Sequence, residues 1–271
     1  MRSTDRRIVL GLYRSGPEPE LLRRALDLGV TGLDTAYNYQ HFSSHQALAA
    51  AAGEALDEFE ITTKVGFFPQ GHDLSPERLR QAVRQTVDDL GRVPDTVLLH
   101  NPECSVDGFE AACEALVRIR DDGLCREWGI STWSPQELVG RSWALPPPDV
   151  IMVRAGLSVP APVLDATERL TIGLGAKKVY GMAPFGGNAN DPIWSKVDTH
   201  LFLTPGQQAH TLQAALAAAF AIPEVERIAV GTSSPTHLAH IVQARSLTIS
   251  PAVIERYRAL LRARTERNPT G

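Results

Sequence analysis

Short apolar, β-branched runs alternate along the chain with longer stretches in which apolar residues return every three or four positions. That alternation predicts repeated strand–helix units around a parallel sheet. Eight units can be counted, with strands predicted over residues 8–12, 32–36, 60–65, 96–100, 127–131, 150–154, 179–183 and 228–231. Between them, Leu79, Val83, Val87 and Leu90 share one helical face, as do Phe109, Cys113, Leu116 and Val117. Ser75-Pro76-Glu77 and Ser134-Pro135-Gln136 each offer an N-cap serine with proline at the first helical position, so a helix is predicted to start at both. The longest insertion, residues 186–206, follows the seventh strand and is expected at the mouth of the barrel. No linker divides the chain, and Pro146-Pro147-Pro148 reads as a spacer. A length of 271 residues suits one closed eight-stranded α/β barrel, so a single-domain (β/α)8 TIM barrel over residues 1–271 is expected. The first strand begins so early that a hairpin closing the barrel floor is expected to be minimal or absent.

Composition narrows the partners. With 27 Lys plus Arg against 31 Asp plus Glu the net charge is −4 and no basic stripe stands out, which argues against nucleic acid. Apolar residues make up 43% of the chain, enough for a large core. The longest apolar stretch, from Leu212 to Ile222, falls short of the ~20 residues that span a bilayer and reads as a buried amphipathic helix. No membrane association is expected. The first residues lack a long apolar segment, so a cytoplasmic protein is expected, as a monomer or small homo-oligomer. Cys104, Cys113 and Cys125 have no metal-finger spacing and read as buried, reduced thiols. His41 and His45 stand at helical spacing but without a third ligand, so they read as solvated histidines and no metal is expected. Neither GxGxxG nor a Walker A sequence occurs.

In such a barrel the chemistry gathers at the carboxyl ends of the strands. Read in order, those ends supply Asp34, Tyr39 in the following loop, Lys64 and His100. Each has a bland reading on its own, since an Asp–Lys pair is usually structural and a lone histidine is often a satisfied core group. Their joint placement at one mouth reverses that balance. The segments that carry them, GLDTAYNY (32–39), ITTKVGF (61–67) and LLHNPE (98–103), resemble the signatures of the aldo-keto reductase family. GISTW (129–133), VYGMAPFGG (179–187) and AVGTSSPTHL (229–238) follow in the family's order.

The resemblance implies reduction of an aldehyde or ketone to an alcohol, or the reverse, on a small-molecule substrate. Hydride would come from NADPH, with NAD as a possible cofactor, and the proton from Tyr39. A neighbouring Lys64 ammonium is expected to lower the tyrosine pKa, Asp34 to hold the lysine, and His100 to orient the carbonyl oxygen. For the cofactor it implies Ser131 at the nicotinamide carboxamide, Gly181 and Met182 flanking the ring, and Gly231, Thr232 and Ser233 before a helix as the phosphate cradle. Thr132 and Met152 stand where the family has amide side chains for the carboxamide, and His237 stands where it has the arginine for a 2′-phosphate. Preference for NADPH over NADH is therefore expected to be modest. Tyr13, Phe67, Phe68, Trp133 and Phe185 are candidates for an apolar substrate wall, and Arg154 is expected to meet either an acidic group of a ligand or a buried carboxylate. The alternatives are an aldo-keto reductase fold with a changed reaction, the same fold in a non-catalytic binding or regulatory role, and a metal-dependent barrel hydrolase. For the last, only Asp34 and His100 partly qualify.

Overall fold

Each of the eight apolar runs forms a strand in the computed structural model, which describes residues 6–141 and 144–267. The strands are β1 (Arg7–Gly11), β2 (Gly32–Asp34), β3 (Glu60–Val65), β4 (Thr96–His100), β5 (Glu127–Thr132), β6 (Val150–Arg154), β7 (Lys178–Met182) and β8 (Arg227–Gly231). All pair in parallel with their sequence neighbours, and β8 pairs with β1 to close the barrel. The closed (β/α)8 architecture is therefore present. The stretch before β1, where a floor hairpin is expected to be minimal or absent, lies outside the described residues, which open at Arg6.

Strand alternation sorts the core into two layers. Val9, Leu98, Val150, Met152, Tyr180 and Ala229 point inward and fill the barrel. Their neighbours Leu10, Leu99, Ile151, Val153, Ile228 and Val230 point outward, into the layer that the helices cover. Those helices are α1 (Pro19–Asp27), α2 (Ser44–Ala52), α3 (Pro76–Leu90), α4 (Phe109–Asp121), α5 (Ala161–Leu174), α6 (Thr211–Ala219), α7 (Pro235–Gln243) and α8 (Pro251–Arg267). In α3, Leu79, Val83 and Leu90 are buried while Val87 is only partly so.

Four expectations need correction. Ser75-Pro76 does open α3, with Gly91 closing it in the left-handed region, but Ser134-Pro135 opens only a single 3-10 turn, Pro135–Leu138. Gly140, at φ +79°, and the proline run behind it leave no room for a helix to propagate. Among the described residues the crossover after β5 therefore has no α-helix, and β8 is followed by two. The apolar stretch at Leu212 is not amphipathic: Ala214 through Ala219 in α6 are all buried. His45 is not solvated, since it is buried with its Nε2 2.7 Å from Thr63 Oγ1, and Cys104 is exposed although Cys113 and Cys125 are buried.

Candidate active site

The carboxyl ends of the strands open into a cleft of about 880 Å³. Asp34, Tyr39, Lys64 and His100 line it, and so do Gly231, Thr232 and Ser233, whose strand is separated from that of Asp34 only by β1. Asp34 ends β2 and Lys64 lies one residue before the end of β3, so parallel pairing brings their side chains together. Lys64 Nζ is 2.6 Å from Asp34 Oδ1 and donates a second hydrogen bond to the Thr35 carbonyl at 2.9 Å. Both side chains are buried, Lys64 at 1% and Asp34 at 6% exposure. Burial alone would discharge the ammonium. The Asp34 carboxylate beside it, together with the Tyr39 hydroxyl, outweighs that penalty and holds its pKa above the usual lysine value.

Tyr39 follows β2 in an unusual turn. Gln40, His41 and Phe42 have φ values of 50°, 54° and 69°, a run of left-handed backbone that costs on the order of 1–2 kcal/mol per non-glycine residue. Hydrogen bonds hold it: Tyr39 N–H donates to the Ala36 carbonyl, Ser43 Oγ to the Gln40 carbonyl and Ser44 Oγ to the Ala36 carbonyl. The Tyr39 ring lies 5.3 Å from Lys64 Nζ, 4.9 Å from the Tyr13 ring and 5.9 Å edge-on from His100. Its hydroxyl differs from the expectation. Burial pushes its pKa up by more than Lys64 pulls it down, so the group stays protonated above the ordinary tyrosine range.

His100 ends β4. Burial, then Lys64 and His72, hold its pKa well below the ordinary histidine value, so the ring is neutral at neutral pH. Its Nδ1 is buried without a hydrogen-bond partner among the described residues. A short antiparallel ribbon, Phe67–Phe68 with Gly71–His72, presses the Phe67 ring edge-on to His100 at 5.0 Å. His72 Nε2 lies 2.8 Å from the His100 carbonyl and its Nδ1 2.8 Å from Ser105 Oγ. Since a carbonyl only accepts, Nε2 carries the proton in the neutral ring and Nδ1 accepts from Ser105. Sequence reasoning missed this clamp, although Pro69-Gln70-Gly71 is a turn signal.

Of the cofactor candidates, Met182, Gly231, Thr232 and Ser233 line the cleft. Ser131 is buried just beside it, with Oγ 3.9 Å from Met182 Sδ. Four others are not brought to the cleft lining. Met152 is packed inside the barrel with Leu98 and Tyr180. Thr132 is buried, with its hydroxyl unpartnered, on the alternation that Trp128 and Ile130 direct outward. Gly181 is a packing glycine: a Cβ there would stand 2.8 Å from Ala155 Cβ and 3.0 Å from Ile228 Cγ1 in the outer layer. His237 is exposed in the first turn of α7, its backbone N–H capped by Ser234 Oγ at 3.3 Å.

Of the aromatic candidates, Tyr13, Phe67, Trp133 and Phe185 face the cleft. Phe68 instead packs against Tyr37 beneath the Arg78 guanidinium. The insertion after β7 lies at the mouth as expected and carries two 3-10 turns. It is tied to the loop after β1 by Arg14, whose Nη1 donates to the Gly187 carbonyl at 2.9 Å. Among the described residues no group of three or more metal-ligating side chains is clustered.

The family model described as "Aldo/keto reductase family" matches residues 10–158, more than half of the chain. A putative voltage-gated potassium channel subunit beta of Schizosaccharomyces pombe is 32% identical over 127 residues, covering 43% of this chain and 36% of that protein. The methylglyoxal reductase DkgB of Escherichia coli is 30% identical over 118 residues, covering 42% of each chain. The matched part thus spans well under two thirds of those relatives' length. Among solved structures, an aldo/keto reductase from Klebsiella pneumoniae in complex with NADP and acetate superposes with a TM-score of 0.73 at 19% identity, over 94% of this chain and 91% of that one. That likeness speaks to the fold, and the family match covers the segments that supply Asp34, Tyr39, Lys64 and His100: the chain belongs to the aldo/keto reductase family.

Proposed function

We propose that the protein reduces a small-molecule aldehyde or ketone with a nicotinamide dinucleotide, NADPH foremost and NADH also accepted, and that Tyr39 delivers the proton. The observation that carries this reading is the buried Lys64–Asp34 pair beside a protonated Tyr39 and a neutral His100 in one cleft. The cleft suits a dinucleotide. Gly231, Thr232 and Ser233 line it just before α7, where backbone N–H groups and hydroxyls meet the positive end of a helix. The Klebsiella relative with this fold is described as binding NADP, and the Escherichia relative as a methylglyoxal reductase.

When bound, the nicotinamide supplies a hydride to the carbonyl carbon. The chain's own groups handle the charge that results. His100, neutral and held from behind by Phe67 and His72, can offer a ring N–H to the carbonyl oxygen and set its orientation. Because it carries no second proton at neutral pH, it is not the acid. Tyr39 retains its proton until alkoxide character develops, then gives it up next to a cation that stabilises the phenolate. Lys64 stays charged throughout because Asp34 faces it at 2.6 Å.

A second reading, the same fold with a changed reaction or a binding role, is favoured by the places of Thr132, Met152 and Gly181, none of which presents a polar side chain to the cleft. The deciding experiment is single-turnover reduction of an aldehyde by the protein loaded with NADPH. Tyr39→Phe should lower the rate by about 10²–10⁴-fold with cofactor affinity nearly unchanged. A Tyr39→Phe protein that binds cofactor and reduces at the parent rate overturns the assignment. A protein that binds nicotinamide without turnover favours the second reading.

A further inference from the structure

Arg154, the last residue of β6, is not used by the chemistry above. Alternation on the strand sets it on the same side as Val150 and Met152, which point into the barrel, at the strand's carboxyl end and beside the cleft rather than among its lining residues. It is paired in register with Met182, which lines the cleft. Its guanidinium carbon lies 4.7 Å over the ring of Trp133, another cleft residue, whose indole is 37% exposed. Trp133 is itself anchored, because Glu103 Oε1 accepts the backbone N–H groups of Trp133 and Ser134 at 2.7 and 2.9 Å. No hydrogen bond or ion pair holds Arg154 among the described residues, so the buried carboxylate partner expected as one of its two roles is not there.

A half-buried guanidinium with no anion beside it among the described residues bears a desolvation cost that the Trp133 ring offsets only in part, and burial accordingly lowers its pKa. Stacking on an indole face fixes the plane of the group and leaves its N–H edge free, the arrangement that suits a bidentate carboxylate. Its place relative to the chemistry follows from the strands. His100 pairs with Ser131, which pairs with Met152, and Arg154 is two residues further on, so the two Cα atoms stand roughly 12 Å apart by ordinary strand spacing. An arginine side chain reaching back over that gap leaves room for a compact substrate between it and His100.

We infer that Arg154 is a specificity-determining residue that binds a carboxylate on the substrate, so that the preferred substrates are oxo-acids whose carbonyl and carboxylate stand a few bonds apart. The inference rests on the reductase reading above. The dinucleotide phosphates have their own cradle before α7, so the anion at Arg154 is the substrate's.

The test compares 4-formylbenzoate with its methyl ester, which keeps the ring and aldehyde and removes the charge. The unmodified protein should favour the acid in kcat/KM. Arg154→Met should lower kcat/KM for the acid by about 10–100-fold, mainly through KM, and leave the ester within about twofold. Arg154→Lys should recover only part of the loss, since an ammonium cannot pair in the bidentate geometry. Equal effects on acid and ester, or no effect on either, overturn the assignment. Weakened NADPH binding in Arg154→Met, followed by quenching of tryptophan fluorescence, also overturns it by making the cofactor the anion. Should neither aldehyde be turned over, the reductase reading fails separately, and calorimetry with 4-(hydroxymethyl)benzoate still decides. Binding that Arg154→Met abolishes supports the site, and binding it leaves intact removes it.

Discussion

Replacing Lys64 by methionine removes the cation and keeps most of the side chain's length. The consequence for stability can be worked from the pair itself. Lys64 and Asp34 are 1% and 6% exposed and 2.6 Å apart, and the ammonium also holds the Thr35 carbonyl. Removing one member of a buried pair leaves an uncompensated charge and costs about 3–5 kcal/mol, a large part of a typical domain's stability. Asp34 would escape by taking up a proton, so the destabilisation should be smaller below pH 5 than at pH 8. The double variant Asp34→Asn with Lys64→Met removes both charges, and should be about 1–4 kcal/mol more stable than Lys64→Met alone. Turnover should not follow stability. In both proteins Tyr39 lacks the cation that stabilises its phenolate, so single-turnover reduction should fall by about 10²–10⁴-fold and stay low in the double variant. Urea unfolding at the two pH values, with single-turnover kinetics on the same samples, measures both quantities. A double variant no more stable than the single one, or a Lys64→Met protein that keeps the parent rate, would show that the pair is not what holds Tyr39 ready.

His45 is buried at 2% exposure, and burial lowers its pKa to about 4, so the folded protein keeps it neutral while the unfolded chain takes up a proton near 6.5. That group's contribution is present above pH 6.5 and is lost as the pH falls toward 4, for a total of about 3 kcal/mol. Urea midpoints at pH 4.5 and 7.5 should show the loss, and a His45→Gln profile as steep as the parent's would refute it. A Cβ added at Gly129 would stand 1.9 Å from the Val150 carbonyl oxygen, so Gly129→Ala should pry β5 from β6 and lower the melting temperature clearly, by about 3 kcal/mol or more of stability. An unchanged melting temperature would refute that packing. With His237 exposed on the first turn of α7 and unable to form an arginine's bidentate pair, NADPH should be favoured over NADH only modestly; direct titration showing a preference of several orders of magnitude would contradict this.

Much of the barrel was legible because its signal is local and repeated. Strand ends fell within two residues, since each strand is a short β-branched run buried on both faces and bounded by turn residues. The one crossover misread as a helix, after β5, shows where such a signal fails: Ser134-Pro135 is a genuine start, but a helix also needs a stretch in which to continue, and Gly140 and three prolines deny it one. His45 was misread because burial is a property of the fold, and two histidines at helical spacing look alike whichever way the helix turns. Asp34, Lys64 and His100 were legible at strand ends in a parallel barrel, and Tyr39 in the loop that follows one of them. Their protonation states were not. Whether Lys64 or burial prevails at Tyr39 depends on how much water the surrounding walls remove, and those walls come from Tyr13 and from loops distant in sequence.

The two sides of the mouth are held to different degrees, and this bears on where chemistry and selectivity reside. On the side of β2 to β4 every acting group has at least two fixed partners: Lys64 has Asp34 and Thr35, His100 has Phe67 and, through its carbonyl, His72, and Tyr39 has its strained turn as well as Tyr13. Misplacement of a proton donor by an ångström can cost about a hundredfold in rate, so such redundancy suits the proton transfer proposed for this side. On the side of β5 to β7 the cleft is bounded by Trp133 and Met182 with Arg154 behind them, side chains held by one stacking contact or by a soft thioether. Changes there should move KM and the choice of substrate while sparing the intrinsic rate of proton delivery. Changes among Asp34, Tyr39, Lys64 and His100 should do the reverse.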